Sequence, residues 1–233
     1  MAGKSVNSKE VGTIGKLYLK LYNFLQVIGW SYLLYQLLDY YLLPGNKASL
    51  WDTVKLTVII FQNAAVLEII HAATGLVKSN PFITTFQVFS RVMLVCGVLL
   101  ATPSSYAPSS PGLPLTLLAW SITEIIRYLY YFTNLLGFVP QFLTYLRYTT
   151  FIVLYPIGVT GELLCLYSAQ QYGNDHPRAW SYSLPNSWNF TFSYHYYIII
   201  IMILYFPFFP QMYMHMFGQR RKILGKSTIK KTQ

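Results

Sequence analysis

The amino-acid sequence predicts an all-α protein that crosses a membrane several times, and the first grounds are compositional. Hydrophobic residues make up 54% of the 233-residue chain and aromatic residues 18%. Charged residues make up only 10%, well below the roughly 25% that is usual in soluble proteins. A soluble domain would need more surface charge, and a disordered chain would combine high charge with low hydrophobicity. The composition therefore favours a chain that lies mostly in lipid.

Six apolar segments are each long enough to cross the hydrocarbon core, which takes about 20 residues in a helix. In order along the chain, the predicted spans cover residues 21–43, 55–77, 82–102, 113–133, 146–168 and 195–217. The joints between them are rich in proline, glycine and polar residues, which are turn signals. The spans define a membrane domain over 21–217, preceded by a segment over 1–20 and followed by a basic tail over 218–233.

The positions of the basic residues predict how these spans are oriented. Ten of the seventeen lysines and arginines lie near the chain ends: Lys4, Lys9, Lys16, Lys20, Arg220, Arg221, Lys222, Lys226, Lys230 and Lys231. Cytoplasmic segments carry such an excess, so both termini are expected in the cytoplasm. The connection over 169–194 then lies on the opposite side, with a glycosylation sequon at Asn189. Nucleic-acid binding is not expected, because no soluble segment interleaves basic residues with exposed aromatic ones.

Several ionisable residues fall inside the predicted spans, where each unpaired charge costs about 2.5–3.5 kcal/mol. They are Glu68, Arg91, Glu124, Arg127 and Glu162, with Arg147 near the start of the fifth span. We expect them to face the bundle interior, to pair and to outline a polar cavity. Glu68 and His71 are one helical turn apart, as are Glu124 and Arg127. Ion pairs that only stabilise the bundle, and a hydrogen bond from His71 to Glu68, are the alternatives to a catalytic role.

The fifth span carries a tyrosine and a glutamate on nearly the same helix face. Tyr155 and Glu162 are seven residues apart, which corresponds to about 700° of rotation and about 10 Å of rise. Pro156 is expected to kink the helix, whereas Gly158 and Gly161 leave room for another helix or a ligand. A buried carboxyl group and a phenol can transfer protons, which suits an elimination beside a carbonyl. The alternative is a packing tyrosine and an ion-paired glutamate.

Four segments in order along the chain resemble one enzyme family, and the likeness runs from about Leu17 to Gln219. The matching residues are Ala64-Ala65-Val66-Leu67-Glu68-Ile69-Ile70-His71, Gln87-x-x-Ser90-Arg91, Trp120-Ser121-Ile122-Thr123-Glu124-Ile125-Ile126-Arg127-Tyr128, and Leu146-Arg147-Tyr148 with Leu154-Tyr155-Pro156-x-Gly158 and Glu162. They resemble the very-long-chain (3R)-3-hydroxyacyl-CoA dehydratases, also called protein-tyrosine-phosphatase-like or PASTICCINO-type proteins. The plant members look most similar.

The resemblance implies a hydro-lyase of the endoplasmic-reticulum membrane that performs the third step of fatty-acid elongation. Such an enzyme converts (3R)-3-hydroxyacyl-CoA to trans-2-enoyl-CoA and water, with Tyr155 and Glu162 as the catalytic pair. Six further residues are predicted to support the polar cavity: Arg147, Arg91, Glu124, Arg127, Glu68 and His71. No cofactor is expected, because CoA is part of the substrate, and no metal site is expected, because no second His or Cys lies at ligand spacing. The implied partners are the bilayer and the other elongation enzymes: ketoacyl-CoA synthase, ketoacyl-CoA reductase and enoyl-CoA reductase.

The phosphatase part of the family's older name has no chemical support in this sequence. A phosphatase loop needs a cysteine followed six residues later by an arginine, but Thr102 follows Cys96 and Gln171 follows Cys165 at that spacing. Two other kinds of function remain alternatives: a non-catalytic scaffold for the elongation enzymes and a small membrane transporter.

The last four residues of the sequence resemble a dilysine retrieval signal of the endoplasmic reticulum. Lys230 and Lys231 are the fourth and third residues from the end. Such a signal is read from the cytoplasm, which agrees with the predicted orientation. The alternative is a basic tail attracted to anionic lipid head groups.

Overall fold

The computed structural model describes residues 12–43, 45 and 48–229, and the regular secondary structure of this part of the chain is almost entirely helical. Its α-helices are α1 (Thr13–Leu42), α2 (Leu50–Ala64), α3 (Val66–Ala73), α4 (Pro81–Val92), α5 (Gly112–Leu135), α6 (Gln141–Arg147), α7 (Phe151–Asp175) and α8 (Tyr194–Ile229). A π-helix over Met93–Leu99 continues α4, and a short 3₁₀ turn covers Ala107–Ser109. Within the described ranges, the extended pairing is one isolated bridge between Tyr182 and Phe192. The predicted all-α class is confirmed.

Four helical stretches of the described chain are long and apolar enough to cross a membrane. They cover Leu50–Ala73, Pro81–Leu99, Gln141–Asp175 and Tyr194–Gly225, which makes this a multi-pass membrane protein. They correspond to the predicted second, third, fifth and sixth spans. The helices at the predicted first and fourth spans, α1 and α5, are 30 and 24 residues long, but the hydropathy of their most apolar stretch is lower than in these four. Their polar residues, such as Asn23 and Gln26 on α1 and Glu124 on α5, are buried inside the bundle.

The helix boundaries follow from local chemistry at the joints. Asn80 caps α4, because its side chain accepts a hydrogen bond from the Phe82 amide while Pro81 occupies the first turn. Ser49 caps α2 in the same way by accepting from the Asp52 amide. After α5, Gly137 adopts a φ of 87°, a left-handed conformation that glycine reaches without a steric penalty.

Helix α5 lies at the centre of the bundle, with α1 on one side and α7 on another. The backbones of α5 and α7 meet at two glycines: a Cβ atom on Gly112 would collide with the Gly161 carbonyl oxygen, and one on Gly161 would collide with Thr116. A Cβ atom on Gly158 would lie 3.3 Å from that of Ala119 on α5. The close approach that these glycines allow is therefore made by another helix.

Helix α8 packs along α7 and leaves much of its length outside the core. Tyr194 and Ile198 near its start are buried. Further along, Ile200, Ile203 and Phe206 are exposed apolar side chains on a helix that is long enough to span a membrane. This surface suits contact with lipid tails.

Candidate active site

Glu162 lies near the middle of α7, and both of its carboxylate oxygens accept hydrogen bonds from neighbouring helices. Trp120 on α5 donates from Nε1 to Oε1 over 2.8 Å. Tyr205 on α8 donates from its hydroxyl to Oε2 over 2.7 Å. Within the described part of the chain Glu162 forms no ion pair. The alternative of an ion-paired glutamate is therefore not what the structure shows.

Tyr155 lies two turns before Glu162 on α7, with its ring held against α8. It stacks on Phe209, with ring centroids 5.2 Å apart and planes within 8° of parallel. The ring of Tyr213 is also nearly parallel to it, at 5.8 Å and 9°, and the Tyr213 hydroxyl donates to the Ile152 carbonyl oxygen over 2.9 Å. Tyr155 interacts electrostatically with Glu162. Among the described residues its hydroxyl has no hydrogen-bond partner, so it is free to bond to a ligand.

A cluster of four charged side chains lies beside this pair, and we call it the ion cluster: Glu68, Arg91, Glu124 and Arg127. Arg127 donates from Nη1 to Glu68 Oε2 over 2.7 Å and from Nε to Glu124 Oε2 over 2.7 Å. Arg91 forms an ion pair with the other oxygen of Glu124, which is 1% exposed. Tyr128 donates to Glu68 as well. For these four residues the expected pairing of intramembrane charges is present, with two carboxylates balancing two guanidinium groups.

Arg91 connects the ion cluster to Glu162. Its guanidinium carbon lies 5.5 Å from the centre of the Trp120 ring, within the range of a cation–π contact. The same indole donates to Glu162, and Arg91 also interacts electrostatically with that carboxylate. Trp120 therefore contacts both Glu162 and Arg91 of the ion cluster.

Arg147 and His71 belong neither to the ion cluster nor to the Tyr155–Glu162 pair. The Arg147 side chain contacts tyrosines at the end of α5: Nη2 donates to the Tyr131 hydroxyl over 3.0 Å, and its guanidinium carbon is 4.3 Å from the Tyr130 ring centre. Arg147 has no carboxylate partner among the described residues, so the expected pairing of intramembrane charges does not extend to it. His71 shares a 2.9 Å hydrogen bond with the Tyr18 hydroxyl rather than with Glu68. It contacts the ring of Tyr22, whose hydroxyl donates to Glu68.

Sequence reasoning missed two side chains that bind Glu162. Trp120 had a detectable signal, because it precedes Glu124 by four residues and so shares its helix face. Tyr205 had none: it is one of 21 tyrosines, and no spacing along the chain relates it to Glu162. No group of three or more His, Cys, Asp or Glu side chains in the described ranges could hold a metal ion.

Fold and site together define a class: a multi-pass helical membrane protein with a hydrogen-bonded glutamate and a nearby tyrosine on one helix inside its bundle. A model of the family described as "Protein tyrosine phosphatase-like protein, PTPLA" matches residues 62–226. Very-long-chain (3R)-3-hydroxyacyl-CoA dehydratase 2 of Mus musculus is 44% identical over 217 residues, which are 93% of this chain and 84% of the relative. The chain belongs to this family of protein-tyrosine-phosphatase-like proteins, whose relatives are named very-long-chain (3R)-3-hydroxyacyl-CoA dehydratases.

Two further relatives extend the likeness to other kingdoms and phyla. A very-long-chain (3R)-3-hydroxyacyl-CoA dehydratase of Caenorhabditis elegans is 44% identical, covering 92% of this chain and 97% of the relative. The relative named PASTICCINO 2A, from Oryza sativa subsp. japonica, is 36% identical, covering 92% and 96%. This plant relative is less similar than the mouse and nematode relatives, so the expected special likeness to plant members is not supported. No solved structure matches the chain.

Proposed function

We propose that this protein is a very-long-chain (3R)-3-hydroxyacyl-CoA dehydratase, a hydro-lyase acting in the third step of fatty-acid elongation. The single observation that carries the proposal is the site on α7. A carboxylate held by two neutral donors lies there near a tyrosine whose hydroxyl is unoccupied. The family supplies the substrate class, because its relatives are named for dehydrating (3R)-3-hydroxyacyl-CoA.

In the proposed reaction Glu162 removes the proton at C2 of the acyl chain. Trp120 supports this role, because an indole N–H is a donor only and its partner oxygen must therefore act as an acceptor. Each carboxylate oxygen keeps a second lone pair that can take a proton. As the C2 electron pair forms the C2–C3 double bond, the C3–O bond breaks.

Tyr155 then protonates the departing C3 hydroxyl, which leaves as water. The free hydroxyl of Tyr155 suits contact with this group, and its ring is held in place by Phe209. A proton passing from Glu162 to the tyrosinate, directly or through water, returns both groups to their starting state. No metal or separate cofactor takes part in the scheme, since CoA is carried by the substrate itself.

The supporting residues act in this scheme through structure. The ion cluster connects α3, α4 and α5, so it fixes the position of Trp120 beside Glu162. His71 packs behind the ion cluster against Tyr22. Arg147, which has no carboxylate partner among the described residues, offers positive charge at the end of α6 that precedes α7.

The six-span arrangement with cytoplasmic termini belongs to the same proposal. At 1.5 Å per residue, α1 and α5 are about 45 Å and 36 Å long, more than the roughly 30 Å of the hydrocarbon core. Their buried polar residues account for their lower hydropathy, because these side chains avoid lipid. CoA, a polyanion, would stay at the cytoplasmic mouth while the acyl chain lies among the helices.

Location and partners are inferred from the family and the basic chain ends. We place the protein in the endoplasmic-reticulum membrane, where the other elongation enzymes would hand over the 3-hydroxyacyl-CoA and take up the enoyl-CoA. The dilysine-like Lys230 and Lys231, and also Lys4 and Lys9 at the other end, lie outside the described residues.

Incubation of the purified, detergent-solubilised protein with a (3R)-3-hydroxyacyl-CoA tests the activity. We expect trans-2-enoyl-CoA to accumulate with the wild type and to be nearly absent with Tyr155→Phe and with Glu162→Gln. Full activity in both variants would exclude the assigned pair. An inactive wild type that still binds elongation enzymes would indicate a scaffold, and flux into liposomes would indicate a transporter.

A further inference from the structure

We propose that Trp120 and Tyr205 are positioning residues, which hold the Glu162 carboxylate in the orientation needed to remove a proton from the substrate. The two side chains come from helices on different sides of α7, and each binds a different carboxylate oxygen. The inference rests on the proposed dehydratase activity. It adds two residues to the machinery of that reaction.

The geometry fixes the glutamate more completely than one contact could. A glutamate side chain has several rotatable bonds and loses considerable rotamer freedom when it is held in place. Two hydrogen bonds of 2.8 and 2.7 Å, one to each oxygen, define the plane of the carboxylate as well as its position. A base held in the reactive orientation does not have to be ordered during the reaction, which lowers the barrier.

The two donors are themselves held in place. Trp120 is 3% exposed in the core of the bundle, and Arg91 lies against its ring. Tyr205 is half-buried on α8 and packs against the hydrophobic core. Both are aromatic side chains with only two rotatable bonds, so they supply directional donors at a small cost in entropy.

Because Trp120 and Tyr205 are neutral donors, they can position the Glu162 carboxylate without neutralising its charge. An arginine paired directly with Glu162 would stabilise its charge strongly and oppose proton uptake. An indole and a phenol are neutral, so they orient the carboxylate and leave it a competent base. The adjacent ion cluster shows that arginines are available in this bundle, yet they are paired with Glu68 and Glu124 instead.

Substitutions that delete one donor while keeping an aromatic ring test this role. We expect Trp120→Phe and Tyr205→Phe each to lower kcat by on the order of tenfold to a hundredfold, the effect of losing a hydrogen bond to a charged group. KM should change by no more than about twofold, because neither donor is assigned to substrate binding. Enoyl-CoA formation by monodisperse protein, over a range of substrate concentrations, gives both constants.

Matched controls exist for both variants. Trp30 on α1 is also buried, and its indole N–H has no partner in the described structure, so Trp30→Phe removes the same group without a hydrogen bond. Tyr194 is buried on α8 like Tyr205, but donates over 2.7 Å to the Gly97 carbonyl oxygen, so Tyr194→Phe removes a phenol bond away from Glu162. We expect kcat of both controls to stay within about twofold of wild type.

A double-substitution experiment separates positioning from general packing. Glu162→Asp keeps a carboxylate but shortens the side chain by one methylene, which withdraws it from both donors. In that background we expect Trp120→Phe and Tyr205→Phe to change kcat by less than about twofold, because effects transmitted through one residue are not additive. Equal losses in both backgrounds, an unchanged kcat, or an increase in KM alone would overturn the inference. An inactive wild type would instead overturn the proposed function.

Discussion

The ion cluster and the Glu162 site lie side by side in this bundle, but their carboxylates are satisfied in opposite ways. In the ion cluster, Glu124 is almost completely buried and bound by two arginines. At the site, Glu162 is bound by an indole and a phenol and forms no ion pair in the described chain, although Arg91 interacts with it electrostatically. A buried charge that is paired with an opposite charge is electrostatically neutralised and mainly structural. A carboxylate held only by neutral donors retains its capacity to take up a proton, so the two groups should respond differently to substitution.

The largest effect on catalysis is expected at Glu162. Glu162→Gln removes the base, so kcat should fall by on the order of 10²–10⁴, the usual contribution of a general base. The fold should survive, because the glutamine carbonyl oxygen can still accept from Trp120. Enoyl-CoA formation and thermal unfolding in detergent measure the two effects. If Glu162→Gln lost its fold along with its activity, Glu162 would be as structural as the ion cluster, and the expected difference between the two regions would be absent.

Glu124→Gln is expected to have the reverse pattern, with stability as the main loss. It leaves Arg91 and Arg127 without one carboxylate, and breaking a buried pair costs about 3–5 kcal/mol. The midpoint of thermal unfolding should fall by on the order of ten degrees. Asp175→Asn is the control, since Asp175 is an exposed carboxylate bound to Tyr106. Equal midpoints for the two variants would mean that the ion cluster adds no stability.

Gly161→Ala should affect both regions through the packing of α5 on α7. The added methyl group would collide with Thr116, and overpacking of this kind costs about 1–3 kcal/mol. It also shifts Glu162 on α7 relative to Trp120 on α5, so kcat should fall together with stability. Gly218→Ala on α8 meets no atom within 4 Å and should leave both unchanged. Wild-type kinetics for Gly161→Ala would show that the distance between α5 and α7 does not matter for activity.

The smallest effect is expected at Arg91, which contacts both regions. Arg91→Lys keeps a positive charge for Glu124 but loses the planar group that lies over the Trp120 ring. The lost cation–π contact corresponds to about 1 kcal/mol, so we expect modest decreases in both unfolding midpoint and kcat. In a Trp120→Leu background, which has no aromatic ring, Arg91→Lys should cause no additional loss from the missing cation–π contact. Fully additive losses would indicate that Arg91 acts on the two regions independently.

Much of the fold could be predicted from the sequence, because lipid imposes simple rules on a chain. Apolar segments must be helical, and charges within them must pair. Accordingly helices at the predicted spans, a break between the second and third of them, and the pairing of Glu124 with Arg127 are present as predicted.

The sequence could not identify partners that depend on how the helices are rotated against one another. Tyr205 and Glu162 are 43 residues apart, and their hydrogen bond exists only because α8 presents that side chain to α7. Helix rotation also explains why His71 binds Tyr18 on α1 rather than Glu68, which is nearer along the chain. The expectation that every charge inside a span pairs with an opposite charge was also a poor guide. Neutral donors bind Glu162, and tyrosine rings surround Arg147.

The glycine contact between α5 and α7 has a consequence for how a long acyl chain enters the bundle. Where Gly112 meets Gly161 the two backbones touch, so at this level no row of methylene groups can pass between α5 and α7. The other neighbour of Glu162 is α8, which packs along α7 and is otherwise turned outward with apolar side chains. Fatty acyl chains dissolve in that same outward environment. At this level the α5 side of α7 is closed by backbone contact, whereas the α8 side adjoins apolar side chains that face outward.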